Sequence, residues 1–260
     1  MEWNRAKDII IVFLVLLNIM LGSLLGINSQ KYKLSIEQEK NIVEVLASNN
    51  IGLYCKIINK YEPMKMLELT PSEFDELKMI EAFLGNSNAI LSLESEGIKR
   101  YDDYSGNSVM FIENKVSFES NERDENFIFN TDNAKKICTE YLNKMGDMGK
   151  GFELDLGPYN RGEEILLEYR QSINDIVIYD NYFLFAIDEY GLRRVEYSNS
   201  LPVGYSANAK EICSSDEALF SFLAAMKRES SDKPQRIVEK MDLVYFIDPL
   251  EQESNQAYPY

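Results

Sequence analysis

Histidine is absent from the 260 residues of the chain. That removes the side chain most used for proton transfer near neutral pH and the commonest ligand of catalytic zinc. Cysteine is scarce as well. Cys55, Cys138 and Cys213 lie far apart, show no CxxC spacing and are odd in number, so they indicate neither a zinc site nor a disulfide framework. They read as small buried apolar residues. Positive charge is outweighed, with 27 Lys+Arg against 43 Asp+Glu and a formal net charge of −16. Such a field repels phosphate backbones and anionic headgroups, so no nucleic-acid partner is expected. No metal or other cofactor is expected either.

What is present is apolar material: 45% hydrophobic residues and 12% aromatics, enough for one large core or two modest ones. Part of it is a long run. From Ile9 to Ile27, fifteen of nineteen residues are strongly apolar. As a helix this run is about 28 Å long against a hydrocarbon core of about 30 Å, which predicts an uncleaved transmembrane anchor over residues 1–30. A secretory signal would have a shorter apolar core and a small-x-small cleavage site, which Leu24-Leu25-Gly26-Ile27 does not offer. Arg5 and Lys7 before the run are balanced by Lys31 and Lys33 after it, so the positive-inside rule does not orient it. The short leading flank and the long following region favour a cytoplasmic N-terminus and an extracytoplasmic remainder in a single-pass cell-membrane protein. Trp3, Arg5 and Lys7 are the expected interface anchors. Asn18, Gly22 and Gly26 recur every fourth residue and form the expected face for a partner helix.

The rest reads as α+β. Ser35-Ile36-Glu37-Gln38 is a capping box opening a helix to about Asn50, followed by a strand over 52–61. Thr70-Pro71-Ser72-Glu73 reads as a second capping box for a helix ending at Gly85. Strands follow over 90–94, 98–104 and 109–120, and the polar run 121–126 reads as a boundary. A helix over 131–145, a meander over 152–156, 164–173, 176–179, 182–188 and 192–197, a helix over 216–227 and a strand over 237–247 complete the chain. Helix followed by meander occurs twice. The expected fold is therefore a transmembrane helix and two small helix-on-antiparallel-sheet subdomains, over 31–126 and 127–260.

Motifs for chemistry are thin. Gly146-Asp147-Met148-Gly149-Lys150-Gly151 follows a helix and precedes a strand, the reverse of a phosphate loop. Ser230-Ser231-Asp232-Lys233 matches SxxK and Ser105-Gly106-Asn107 matches SxN, but no K-T-G is present and Ser230 falls at a helix end. The acidic pairs Asp102-Asp103, Asp124-Glu125 and Glu163-Glu164 sit beside turns, where solvated surface is the default. No catalytic residues are expected.

The opening MEWNRAKDIIIVFLVLLNIML, through Met1, Glu2, Trp3, Asn4, Arg5, Lys7 and Leu17-Asn18, resembles the start of the YycI (WalI) family of membrane-anchored regulatory proteins. The helix-then-meander pattern of residues 31–256 also looks similar to that family's YycH/YycI-like extracytoplasmic region. The family usually continues through a Trp into a last strand where this chain reads Ala257-Tyr258-Pro259-Tyr260. The resemblance implies a non-enzymatic accessory of an essential sensor histidine kinase in cell-wall homeostasis, partnered by that kinase and a YycH-like membrane protein. It also implies action through transmembrane and extracytoplasmic contacts. Tandem helix-on-sheet modules also resemble the PepSY family, which implies the alternative of a binding or inhibitor module for a peptidase.

Overall fold

The computed structural model describes residues 2–72, 74–85, 89–228, 236–247 and 256–260, and within the first helix the side chains of Lys7, of 10–23 and of Lys31. The chain forms two compact units, one of residues 1–64 with 211–242, the other of residues 65–210 with 243–260.

The first unit holds the helices α1 (Glu2–Lys31), α2 (Ile36–Ser48) and α5 (Ser215–Arg228) and a parallel pair of short strands, β1 (Ile51–Leu53) and β12 (Arg236–Val238). The expected capping box is formed: Gln38 N donates to Ser35 Oγ at 3.2 Å, and Ser35 N donates to Gln38 Oε1 at 2.9 Å. Its core is Ile42 and Leu46 of α2, Leu219 and Leu223 of α5, and Leu34, Ile51 and Ile57.

The N-terminal helix corrects an expectation. Among the described residues, no helix is long and apolar enough to cross a membrane. The expected transmembrane anchor, and with it the single-pass cell-membrane localisation, is not supported. The described apolar side chains from Ile10 to Leu21 are exposed.

The second unit is mostly β. Its strands are β2 (Met64–Pro71), β3 (Ile90–Ser95), β4 (Ile98–Asp102), β5 (Ser108–Ile112), β6 (Lys115–Glu119), β7 (Phe152–Arg161), β8 (Glu164–Ile173), β9 (Ile176–Asp188), β10 (Gly191–Ser198), β11 (Ser200–Lys210), β13 (Val244–Ile247) and β14 (Gln256–Pro259). They make one mixed 12-stranded sheet ordered β11-β2-β14-β13-β9-β10-β6-β5-β4-β3, with β8 also on β9 and β7 on β8. The pairing of β13 with β9 is parallel.

This sheet replaces the two small subdomains expected. Strands on either side of residues 121–126 pair directly, β6 with β10, in the register Phe118↔Val195 and Val116↔Tyr197. Those four side chains are all buried and lie on one face, so separating the halves would expose them. Two helices cover that face, α3 (Glu76–Leu84) and α4 (Thr131–Lys144). Met79, Ile80 and Phe83 of α3 and Ala134 and Cys138 of α4 join Phe118, Phe183, Phe185, Val195 and Tyr197 in a single core.

Candidate interaction surface

The residues expected to carry function in α1 are placed as follows. Asn18 Nδ2 donates to Leu14 O at 2.9 Å, so part of its amide is satisfied within its own helix. A Cβ on Gly22 would meet nothing within 4 Å. Lys7 is exposed. Trp3, Arg5 and Gly26 belong to α1 but lie outside the residues whose side-chain surroundings are described, as Ser230, Ser231, Asp232 and Lys233 lie outside the described residues altogether.

The acidic pairs are used structurally or lie in solvent. Asp102 accepts from Arg100 Nε at 2.8 Å, and Asp103 Oδ1 accepts the backbone N–H groups of Ser105 and Asn107, each at 2.8 Å, shaping the β4–β5 turn. Asn107, of the SxN match, is buried; its side chain donates to Asp103 and Glu122 and accepts from Ser120 and from the Asn121 backbone. Asp124, Glu125 and Glu163 are exposed.

Two charged arrangements emerge only with the fold. On the sheet face away from α3 and α4, the Arg170 side chain is 6% exposed. Its Nη2 is 2.6 Å from Glu168 Oε2, and Nη1 donates to the Tyr179 carbonyl. Its Nε faces Asp155 Oδ2 at 3.4 Å, within ion-pair range but not hydrogen-bonded, and the guanidinium lies over the Tyr179 ring at 4.1 Å. Nearby Asp180 accepts from Ile247 N at 2.8 Å, and burial holds its carboxyl above the usual range. Among the described residues no group of three or more Cys, Asp or Glu is arranged to hold a metal ion.

The second is a cleft of about 890 Å³ beside α3 and α4. Phe83 and Tyr141 stack in it with centroids 5.8 Å apart, and burial pushes the Tyr141 phenol up. Lys78, Lys144 and Lys150 alternate around it with Glu81, Glu122 and Asp147. These lysines are already engaged: Lys78 with Asp75 at 2.9 Å, Lys150 with Asp147 at 2.6 Å, and Lys144 over Tyr141 at 4.5 Å. Among the described residues that line it, no nucleophile and base are paired.

One edge of the sheet is open. Among the described residues β3 pairs only with β4, and all six of its residues, Ile90-Leu91-Ser92-Leu93-Glu94-Ser95, are exposed. A bulge between Leu91 and Leu93 puts Leu93 opposite Arg100, so Leu93 shares a face with Met110, which faces Arg100 from β5. Ile98 and Ile112, paired across β4 and β5, lie next along that face. The sheet's other edges carry proline: Pro202 in β11 and Pro158 in β7, which also has two register shifts. Proline and bulges blunt an edge against pairing, and β3 has its bulge but no proline or lysine. The sequence predicts a strand at 90–94, yet its place at an edge depends on pairings that no local pattern encodes.

The fold is thus a mostly β protein with a large mixed sheet covered on one face by helices. No protein-family model and no curated protein matches the chain. An uncharacterized protein from Eubacterium rectale ATCC 33656, of known crystal structure, is similar with a TM-score of 0.45 and 13% identity over 80% of this chain and 78% of that one. A similarity at that level carries no argument about function.

Proposed function

We propose that the chain is a non-enzymatic regulator of a sensor histidine kinase, working through protein contacts of its folded units. The observation that carries this is the open edge of β3, a row of backbone groups unpaired among the described residues and bordered by exposed Leu91 and Leu93. The buried charges point the same way: Arg170, Glu168 and Asp155 bind one another, and such groups hold structure without presenting a reactive atom. The resemblance of residues 1–21 to the YycI family supports a kinase and a YycH-like protein as partners. A regulator of this kind acts by binding one conformational state of the kinase better than the other.

A second reading, a PepSY-like inhibitor of a peptidase, is favoured by the same edge, because peptidases commonly take extended chains. One experiment addresses both. The autophosphorylation rate of the purified kinase is measured with and without the full chain, beside a peptidase assay. A changed kinase rate is expected. An unchanged kinase with an inhibited peptidase would transfer the chain to the second reading, and no effect on either would overturn both.

A further inference from the structure

Resting on the proposal that the chain works by protein contact, we infer that β3 is a strand-addition site whose occupant is an extended segment of alternating apolar and basic residues. The apolar half of that pattern follows from the face beside the edge. Ile90 and Leu93 are 50% and 47% exposed, and they continue the partly covered Ile98 and Met110 and the exposed Ile112 on the same face. A strand laid along β3 gains backbone hydrogen bonds and places every second side chain over these residues.

The basic half follows from charge. The two cations next to the edge are already paired, Lys99 with Glu76 at 2.8 Å and Arg100 with Asp102 at 2.8 Å. Glu94 of β3, which stands opposite Lys99 and attracts it without a salt bridge, Glu96 of the β3–β4 turn and Glu113 of the β5–β6 turn form no salt bridge among the described residues, and all three are exposed. A Lys or Arg beside Glu94 on the alternate positions of an added strand brings a cation to an edge whose neighbouring turns also carry Glu96 and Glu113, in a chain whose net charge is already −16. The same net charge opposes pairing of β3 with a second copy. At the bulge, Ser92 Oγ donates back to Arg100 O at 3.2 Å, so that residue's hydroxyl is turned to β4 and not to the occupant.

The test uses the full chain and synthetic peptides, with binding followed by fluorescence anisotropy and by hydrogen exchange of the β3 amides. A capped peptide alternating valine and lysine is expected to bind about tenfold or more tightly than one alternating valine and glutamate, and to slow exchange in β3. Leu93→Lys, at an exposed position, is expected to weaken binding on the order of tenfold with an unchanged melting temperature. Equal affinity for the two peptides, or unchanged binding by Leu93→Lys, would overturn the inference. So would a dimer of the chain that Leu93→Lys dissolves, because that would give the edge to a second copy. The kinase assay is independent of this one: peptide binding with an indifferent kinase would remove the regulator reading alone, and kinase regulation without peptide binding would remove the strand-addition site alone.

Discussion

Phe183 and Tyr197 stack across adjacent strands with ring centroids 4.2 Å apart and 28° between their planes. They are directly opposed in the β9–β10 register, and both are 1% exposed. Phe152 meets both rings edge-on or tilted, at 4.8 and 6.0 Å. Truncation here leaves a cavity that the paired strands cannot close. Phe183→Ala is expected to destabilise the second unit by about 3–5 kcal/mol, read as a lower urea midpoint. Phe183→Leu should cost visibly less, and equal losses would show that the stacking geometry, not the filled volume, is what the position supplies.

Arg170 holds two carboxylates in a site nearly closed to water. Removing it takes the buried guanidinium away from Glu168 and Asp155, and loss of one partner of a buried charge pair typically costs about 3–5 kcal/mol. Arg170→Met is therefore expected to be strongly destabilising in urea unfolding. Adding Glu168→Gln should recover part of the loss, since one uncompensated charge is gone. Arg170→Lys should not restore it, because a point ammonium cannot serve Glu168, Asp155 and the Tyr179 carbonyl together.

Local signals were legible and long-range ones were not. The Ser35-Gln38 capping box and the apolar spacing of α4 depend on residues within a turn or two, and both elements form where their patterns lie. Thr70-Pro71-Ser72-Glu73 has the same local form but belongs elsewhere. Pro71 ends β2, and α3 begins at Glu76 with Asp75 as its cap, accepting from Lys78 N at 3.2 Å. Burial of Met66, Leu67 and Leu69 in the sheet outweighs the capping pattern beside them. The strand expected over 52–61 shrinks to β1, and the single strand expected over 237–247 divides into β12 and β13 in different sheets. Strand partners are set by contacts far apart in sequence. For that reason neither the single 12-stranded sheet nor the edge position of β3 could be read from periodicity. Glu168-Tyr169-Arg170 did carry a signal, since alternate residues of a strand share a face, but only the fold shows that this face is closed.

Asp180 gives a pH dependence of definite sign. Burial raises its folded carboxyl above the ordinary value, against opposing help from the Ile247 N–H and from Arg170. A raised carboxyl contributes stability that is full below the unfolded-state value, about 3.9, and is lost as pH rises through the folded value. Asp180→Asn, which still offers an oxygen to Ile247 N, is expected to be more stable than the parent at pH 7 and to lose that advantage near pH 3. The comparison is the difference between the two denaturation midpoints across pH. Working on the difference cancels Asp75, Asp102, Asp147 and Glu211, whose cationic and hydrogen-bonding neighbours hold them low and give the opposite slope. A difference that grows toward acid pH would contradict the sign.

Cys138 separates the three thiols by reactivity. It lies fully buried between α4 and the sheet, where desolvation pushes its thiol up to about 12 despite a hydrogen bond shared with Tyr169. Cys55 and Cys213 are only partly covered. Because the thiolate is the reacting species, a thiol with a value near 12 is on the order of a thousandfold less ionised at pH 8 than an ordinary one. Iodoacetamide at pH 8 is therefore expected to modify Cys55 and Cys213 in the native chain and to reach Cys138 only as the second unit unfolds, as located by peptide mass mapping. Adding Phe183→Ala, which loosens the same core, should speed labelling of Cys138 selectively. Labelling of Cys138 in the native chain as fast as Cys55 would mean that α4 opens from the sheet far more readily than its packing implies.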